Sequence, residues 1–338
     1  MLARKVRLKV EYNQKDITTD IEKFLRSFSY TDVMSGAADD IDITLDDVDG
    51  LWRGDWLPEK GDTIRATLIL SGWQASDGTE TQLDLGLFEI DAIECKGFPA
   101  EVSIKGVSIP NSSALRGTYK SRSWEKAKLS IIAKDIADGA GLKLLYDTEE
   151  DPQLDRAEQT EQTDLSFLLK LCEDAGLALK VTDEQVVIFD VAKYEQEEPI
   201  TTLKRTAHVV ESYSLQSKVR DTYGSCRVTY REGKQKEKIE GTFSRPDGKK
   251  GQVLVVNEQV TSVAEAEKLA KKKLRAANQE EITATIDVIG DIIYTAGSTV
   301  MLEDFGKFDG KYIISQCTHS AGDGYKVSLD LRRTLDGY

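Results

Sequence analysis

The sequence predicts a mainly β protein with an α/β insert: two small β-barrel domains separated by a helix–hairpin satellite. Three observations predict it. Residues 1–120 and 199–338 are runs of short β-rich segments broken by glycine turns. Between them, residues 121–198 switch to a helical period of apolar residues. The last stretch places Gly290-Asp291, Gly297-Ser298-Thr299-Val300 and Phe305-Gly306-Lys307-Phe308-Asp309-Gly310-Lys311-Tyr312 before a final strand at 325–331, the pattern of a small barrel closing.

Taken in order, residues 1–12 alternate Val6, Leu8 and Val10 with Arg4, Arg7 and Lys9, a first strand without the continuous apolar run of a signal peptide. Segments 29–31, 41–45, 63–70, 86–95 and 100–107 read as further strands, with turns at Gly36, Asp49-Gly50, Lys60-Gly61-Asp62, Asp77-Gly78 and Gly97. In the insert, Ser123 is the expected cap of a helix striped by Leu129, Ile132, Ala133, Ile136 and Ala140. A second helix starts at Thr163-Asp164, carries Leu165, Leu168, Leu169 and Cys172, and ends at Gly176. The acidic stretch 146–162 between them reads as a loop, and 177–189 as a hairpin turning at Asp183-Glu184. In the last segment a capping box, Ser262 with Glu265, opens a helix whose inner face is Val263, Ala266, Ala270, Leu274 and Ala277.

Composition narrows the function classes. With 338 residues, 40% hydrophobic and 31% charged, the chain is long enough for two or three globular domains. No stretch is apolar enough for a transmembrane segment. The net charge of −14 argues against tight or specific nucleic-acid binding. Its distribution is uneven: residues 147–198 hold 16 acidic and 4 basic residues, whereas 201–250 hold 6 acidic and 12 basic. The basic part, mostly 231–250, reads as a solvated loop or, less simply, a docking loop for an acidic partner. The run Lys271-Lys272-Lys273 reads as a solvated helix face. Cys95, Cys172, Cys226 and Cys317 are widely spaced and read as buried free thiols. Two histidines, His208 and His319, do not complete a metal site, so neither metal nor cofactor is expected.

A search for catalysis finds carboxylate pairs at Asp39-Asp40, Asp46-Asp47 and Glu149-Glu150-Asp151, all beside turns or in the acidic stretch, where exposure would leave both members ionised. Cys317 and His319 share a strand face, yet no third group orients them. Trp52 and Trp56 flank Arg53-Gly54-Asp55; they suit packing over a barrel end, or else a protein or sugar contact. No catalytic, cofactor or metal residue is assigned, and interaction residues are left unknown.

The chain nevertheless resembles the phage late control D family, the baseplate hub proteins of contractile tails and phage-tail-like particles. The resemblance rests on Phe28-Ser29-Tyr30-Thr31-Asp32 with Ala38-Asp39-Asp40, Leu57-Pro58 before Lys60-Gly61-Asp62, and Gly86-Leu87-Phe88-Glu89-Ile90-Asp91. It continues through Gln162-Thr163-Asp164-Leu165-Ser166-Phe167-Leu168, Ala264-Glu265-Ala266-Glu267 to Leu274-Arg275, Phe308-Asp309-Gly310-Lys311-Tyr312-Ile313-Ile314, Thr318-His319-Ser320 and Gly324-Tyr325. Ile292 follows Gly290-Asp291 where the family pattern leads one to expect proline. The resemblance implies a non-enzymatic homotrimer in which two barrels per subunit give pseudo-sixfold symmetry. Such a ring adapts a hexameric tail tube to a trimeric spike and forms part of the central conduit. Its implied partners are the tail tube protein, the spike, baseplate wedge proteins and the tape measure protein. Assembly is expected in a bacterial cytoplasm, into a virion or tail-like particle, and an acidic lumen would not retain passing DNA. The sequence ends at Tyr338 without a lysozyme-like domain or β-helical needle, so the spike is expected to be a separate polypeptide. Two other readings compete: a tail-associated cell-wall or glycan hydrolase using Asp39 or Asp40, and a receptor- or carbohydrate-binding module using Trp52 and Trp56.

Overall fold

Alternation carries straight into structure. In a computed structural model, which describes residues 4–73, 79–108, 115–231 and 238–338, the first strand β1 (Lys5–Tyr12) turns Leu8 and Val10 into the core. The expected turn at Asp77-Gly78 lies outside the described residues, as does part of the basic 231–250 stretch. The chain divides into two units. One comprises Met1–Asp190, Asp287–Ala296 and Ser315–Leu329; the other comprises Val191–Ile286, Gly297–Ile314 and Asp330–Tyr338.

In the first unit, β1 is followed by β2 (Lys15–Asp16), α1 (Thr18–Ile21), β3 (Leu25–Val33), β4 (Asp40–Asp46), β5 (Thr63–Ser71), β6 (Glu80–Lys96) and β7 (Glu101–Val107). They pair antiparallel in the order β2-β1-β5-β6-β7-β4-β3, and residues 316–321 from late in the chain add beside β3. Strand β6 changes neighbour along its length. It pairs with β5 through Glu89 and with β7 from Glu89 onward. One face of this sheet buries Phe28, Tyr30, Ile41, Ile43, Leu45, Phe88 and Ile90, the period-2 pattern of a half-buried sheet. Gly106 is required there, because a Cβ would stand 2.9 Å from Phe88 Cβ.

The same unit holds an α/β part: β8 (Tyr119–Lys128), α2 (Leu129–Gly139), β9 (Lys143–Asp147), β10 (Gln153–Thr163), α3 (Asp164–Ala175), β11 (Ala178–Val181) and β12 (Gln185–Phe189). Strands β8 and β10 form a two-stranded ribbon, while β11-β12-β9 form a small sheet. Both helices bury the expected stripes, with Leu129, Ile132, Ala133 and Ile136 meeting Phe167, Leu168 and Cys172 in one core. Thr163 caps α3 by accepting from the Ser166 amide, and Gly176 ends it in the left-handed region at φ 72°.

Two expectations are corrected here. Ser123 is not a cap: it lies in β8, and the N-terminus of α2 is satisfied instead by Asp151, which accepts from the Ser130 amide at 3.0 Å and its hydroxyl at 2.8 Å. The acidic stretch is not a loop but mostly strand β10. It was unreadable because only Ala157 and Gln159 of its eleven residues are buried, too few for an apolar alternation.

The second unit begins with α4 (Val191–Gln196), β13 (Thr201–Lys204), β14 (Val210–Ser217), β15 (Tyr223–Tyr230), β16 (Ile239–Ser244) and β17 (Gln252–Val256). There follow α5 (Val263–Asn278), β18 (Ile282–Ile289), β19 (Thr299–Glu303), β20 (Gly310–Gly322) and β21 (Gly324–Arg333), of which β18, β20 and β21 each belong in part to the first unit. The sheet β16-β15-β17 packs on α5 through Cys226, Val228, Ala266, Ala270 and Leu274. Ser262 caps α5 as expected, accepting from the Glu265 amide, but the Glu265 carboxylate reaches Thr261 N. Val263 is exposed rather than inward, since the buried stripe starts one turn later at Ala266 and ends on Asn278. Another buried carboxylate, Glu195 of α4, holds Arg332 at 2.6 Å and Arg275 at 2.7 Å.

Gly290 supplies a direct test of the packing in the first unit. A Cβ there would lie 2.1 Å from the Tyr325 ring, which also meets Trp73 edge-on, and Trp73 donates to Gly290 O at 2.6 Å. Gly290→Ala is expected to destabilise the protein by about 1–3 kcal/mol through overpacking, read as a lower urea midpoint, whereas Gly139→Ala, with no heavy atom within 4 Å of its Cβ, should change it little.

Candidate functional site

A buried polar cluster of the first unit forms where β3 ends. Asp32, a buried residue of β3, accepts from Lys180 Nζ of β11 and from the Ala296 amide at 2.8 Å. Lys180 also donates to Val33 O at 3.0 Å and to Asp39 at 3.3 Å, so its three protons all have acceptors. Asp39 in turn accepts from the Val33 amide at 2.9 Å, and its own amide donates to Ser108 Oγ. Burial pushes the Asp39 carboxyl above the ordinary range, with Lys180 opposing it. Burial would lower the Lys180 ammonium, but Asp32 and Asp39 outweigh it and hold the charge more firmly than usual. Two residues along, Ser35 Oγ donates to Leu179 O and accepts from Leu179 N, which extends the tie between the 32–39 segment and β11.

Beside this cluster His319 is fully buried. Its Nε2 lies 3.0 Å from Tyr294 O and its Nδ1 2.7 Å from Tyr325 Oη. A carbonyl only accepts, so the proton sits on Nε2 and the Tyr325 hydroxyl donates to Nδ1. Burial lowers the His319 pKa and keeps the ring neutral. Cys317 Sγ stands 3.8 Å from Nε2, but burial and then the Asp32 charge push its thiol up, away from a reactive thiolate. Tyr30, Asp32, Asp39, Lys180 and His319 line a cleft of about 420 Å³ rimmed by Arg65, which pairs with Asp183 at 2.9 Å and Asp84 at 3.3 Å. The cluster therefore offers satisfied hydrogen bonds and compensated charge rather than an activated nucleophile or base.

The other sequence candidates disperse. Asp39 was expected in solvent and is instead buried in the ion pair; Asp40 opens β4, between Thr31 of β3 and Val107 of β7, its pKa raised by burial. Asp47 is buried too, accepting from the Trp52 amide at 2.8 Å, while Asp46 pairs with Arg26 at 2.7 Å. Asp151 is spent on the α2 terminus. Trp52 is buried against Phe24 and Trp56, which rules out its face as a sugar platform; Trp56 stays half exposed. Arg53 of the Arg-Gly-Asp triplet lies 3.6 Å from Asp47. Three cysteines are buried as expected, but Cys95 is exposed because it sits at the far end of β6. Lys273 of the lysine run pairs with Glu258 at 2.7 Å and is only partly solvated. Among the described residues no group of three or more His, Cys, Asp or Glu is placed to hold a metal ion.

The sequence missed Lys180, a lone lysine in a hairpin strand, and Asp164, a carboxylate held by Lys120 at 2.6 Å and Arg122 at 2.7 Å. One signal for Asp164 was available: an Asp opening an apolar helix, after a strand that carries Lys120 and Arg122 at alternate positions.

Residues 108–325 match the family described as phage tail baseplate hub (GPD). The chain belongs to that family. Over 173 residues this chain is 32% identical to a probable baseplate hub protein of Escherichia phage 186, a match covering 50% of this chain and 41% of the relative. It thus spans well under two thirds of the curated relative's length. In fold it is similar to the 43 kDa tail protein of prophage MuSo2 from Shewanella oneidensis, with a TM-score of 0.76 at 14% identity over 98% of this chain and all of the other. It is also similar to a tail protein from Neisseria meningitidis MC58, with a TM-score of 0.73 at 16% identity over 98% and 97% of the two chains.

Two outcomes follow for this protein. Replacing Lys180 by Met strands two carboxylates; a cost of about 2–3 kcal/mol is expected, below the roughly 3–5 of a fully buried pair because Lys180 is partly solvated, and chemical denaturation measures it. His319 contributes a pH dependence of known sign. Its folded pKa lies below the unfolded value of about 6.5, so the unfolded chain binds the extra proton and stability falls as pH drops below about 6.5, by up to about 1.4 kcal/mol per unit. His319→Gln should flatten that fall relative to the parent, whereas identical pH profiles would contradict the assignment.

Proposed function

We propose that this protein is the ring-forming hub at the centre of a tail baseplate, acting through interfaces and not through catalysis. The observation that carries the reading is the family match across residues 108–325, joined by likeness to tail proteins over nearly the whole chain. In this reading residues 1–120 and 199–338 supply two barrels per subunit, with 121–198 as an insert. Three subunits then present six similar elements to a hexameric tail tube and three to a trimeric spike. A heterologous contact closed by rotation gives such a ring without any new fold. The ring surrounds part of the central conduit. Wedge proteins contact its outside and a tape measure protein its channel. It assembles in the bacterial cytoplasm and is carried in a virion or tail-like particle.

The buried, fully paired state of Asp39 supports an architectural role over the hydrolase reading, since a general acid or base needs access to a substrate. Native mass spectrometry of the purified chain, alone and mixed with the spike protein of the same particle, tests the proposal. A species of three times the 37.6 kDa chain mass, formed alone or on adding the spike, is expected. A monomer that ignores the spike, or clearing of peptidoglycan by the pure chain that Asp39→Asn abolishes, would overturn it.

A further inference from the structure

Full pairing leaves the Lys180 cluster nothing to offer an arriving substrate, but it holds together the reactants for one step among its own members. Lys180 Nζ of β11 is in contact with Asp32 Oδ1, so the nitrogen lies against the carboxyl carbon of Asp32. The same nitrogen stands 3.3 Å from the Asp39 carboxyl. On its other oxygen, Oδ2, Asp32 accepts from the Ala296 amide at 2.8 Å. An amine, a carboxyl with a main-chain N–H on its far oxygen, and a second carboxyl touching the amine are the parts that amide formation needs: nucleophile, polarised carbonyl and proton relay. Folding holds them in fixed contact, the condition under which intramolecular reactions reach effective concentrations of about 10⁵–10⁸ M.

Burial favours the step. The Asp32 and Asp39 side chains are each 9% exposed, so the ionised set is poorly solvated and condensation would remove two of its charges. Burial also raises the Asp39 carboxyl, which suits it to take up a proton. Other ion pairs lack one of the parts. Lys120 meets the buried Asp164, but Arg122, a guanidinium, stands where the second carboxyl would have to be. Lys249 meets both Asp247 and Glu281 and is itself exposed. Glu195 is buried, but Arg275 and Arg332 hold it, and a guanidinium keeps its proton.

We propose that Lys180 and Asp32 condense to an amide, with Asp39 relaying the protons, so that the folded chain carries a covalent staple between β11 and β3, 148 positions apart. Asp39 takes a proton from the Lys180 ammonium. The freed Nζ lone pair forms the N–C bond at Asp32 Cγ, while the Ala296 N–H stabilises the charge that gathers on Oδ2. Asp39 hands its proton to Oδ1, takes a second from the nitrogen and passes that on as the Cγ–Oδ1 bond breaks. Ammonium and carboxylate thus become one amide and one water, with no oxidant, cofactor or net proton consumed. The product stays satisfied: the nitrogen stands 3.0 Å from Val33 O for its remaining N–H, and the carbonyl oxygen keeps the Ala296 amide. Because both carboxylates hold the ammonium charged, the free amine is a minor state and the step is slow, completed once per chain after folding. The staple goes beyond the hub reading and does not depend on it.

The intact mass of the purified full-length chain, denatured so that ion pairs do not hold, reads the bond directly. One water less than the sequence mass is expected, and proteolysis should yield a branched peptide joining the segments around Asp32 and Lys180. Lys180→Arg and Asp39→Asn should each restore the full mass, and Asp32→Asn should lose ammonia in place of water. Full mass in the parent after prolonged incubation of the folded protein, with Lys180 recovered in a linear peptide, overturns the staple without requiring any variant to fold. Water loss that persists in Lys180→Arg overturns it as well, since an Asp-Gly step such as Asp309-Gly310 closing to a cyclic imide gives the same change in mass.

Discussion

Lys180 between Asp32 and Asp39 is the interaction on which the first unit depends. A lysine from the small sheet of the α/β part reaches the end of β3, and its three protons take Asp32, Asp39 and a main-chain carbonyl. Asp32 uses its other oxygen for the Ala296 amide, so one carboxylate joins three stretches far apart in sequence. Without the lysine, two carboxylates would face each other under poor solvation, a strongly unfavourable arrangement. The cluster thus fixes where the α/β part meets the sheet. His319, Tyr325 and Gly290 then pack beside it, each held by a contact that leaves no room for a larger neighbour.

This constraint also explains why a cluster built of residue types that enzymes use holds them in paired or protonated states. Asp39, Cys317 and His319 are residue types that enzymes use, and they converge at a cleft. Each is committed: Asp39 to Lys180, His319 to Tyr294 and Tyr325, and the Cys317 thiol to its protonated form through burial. A site built for chemistry keeps at least one such group uncommitted until substrate arrives.

Much of the fold was legible in the sequence because its apolar residues keep period. Leu8 and Val10 in β1, the stripe of α2, the Thr163 cap and the Ser262 cap stand where the pattern puts them. The ribbon β8–β10 was illegible because its strands are solvated on most positions, leaving hydrophilic residues without a period to read. Asp151 as the distant partner of α2 was equally invisible, since a cap supplied from twenty-one residues away leaves no local motif. The site was the least legible part. Lys180 and Asp32 are 148 positions apart, and only the folded chain brings them together.

Family membership and likeness in fold to tail proteins support the proposed reading of a part that works by shape and contact. Electron cryo-microscopy of the assembled particle containing this chain tests that account most directly. Three copies in a closed ring at the junction of tail tube and spike are the predicted result. Its absence from the central baseplate, or its presence there without threefold arrangement, would contradict the account.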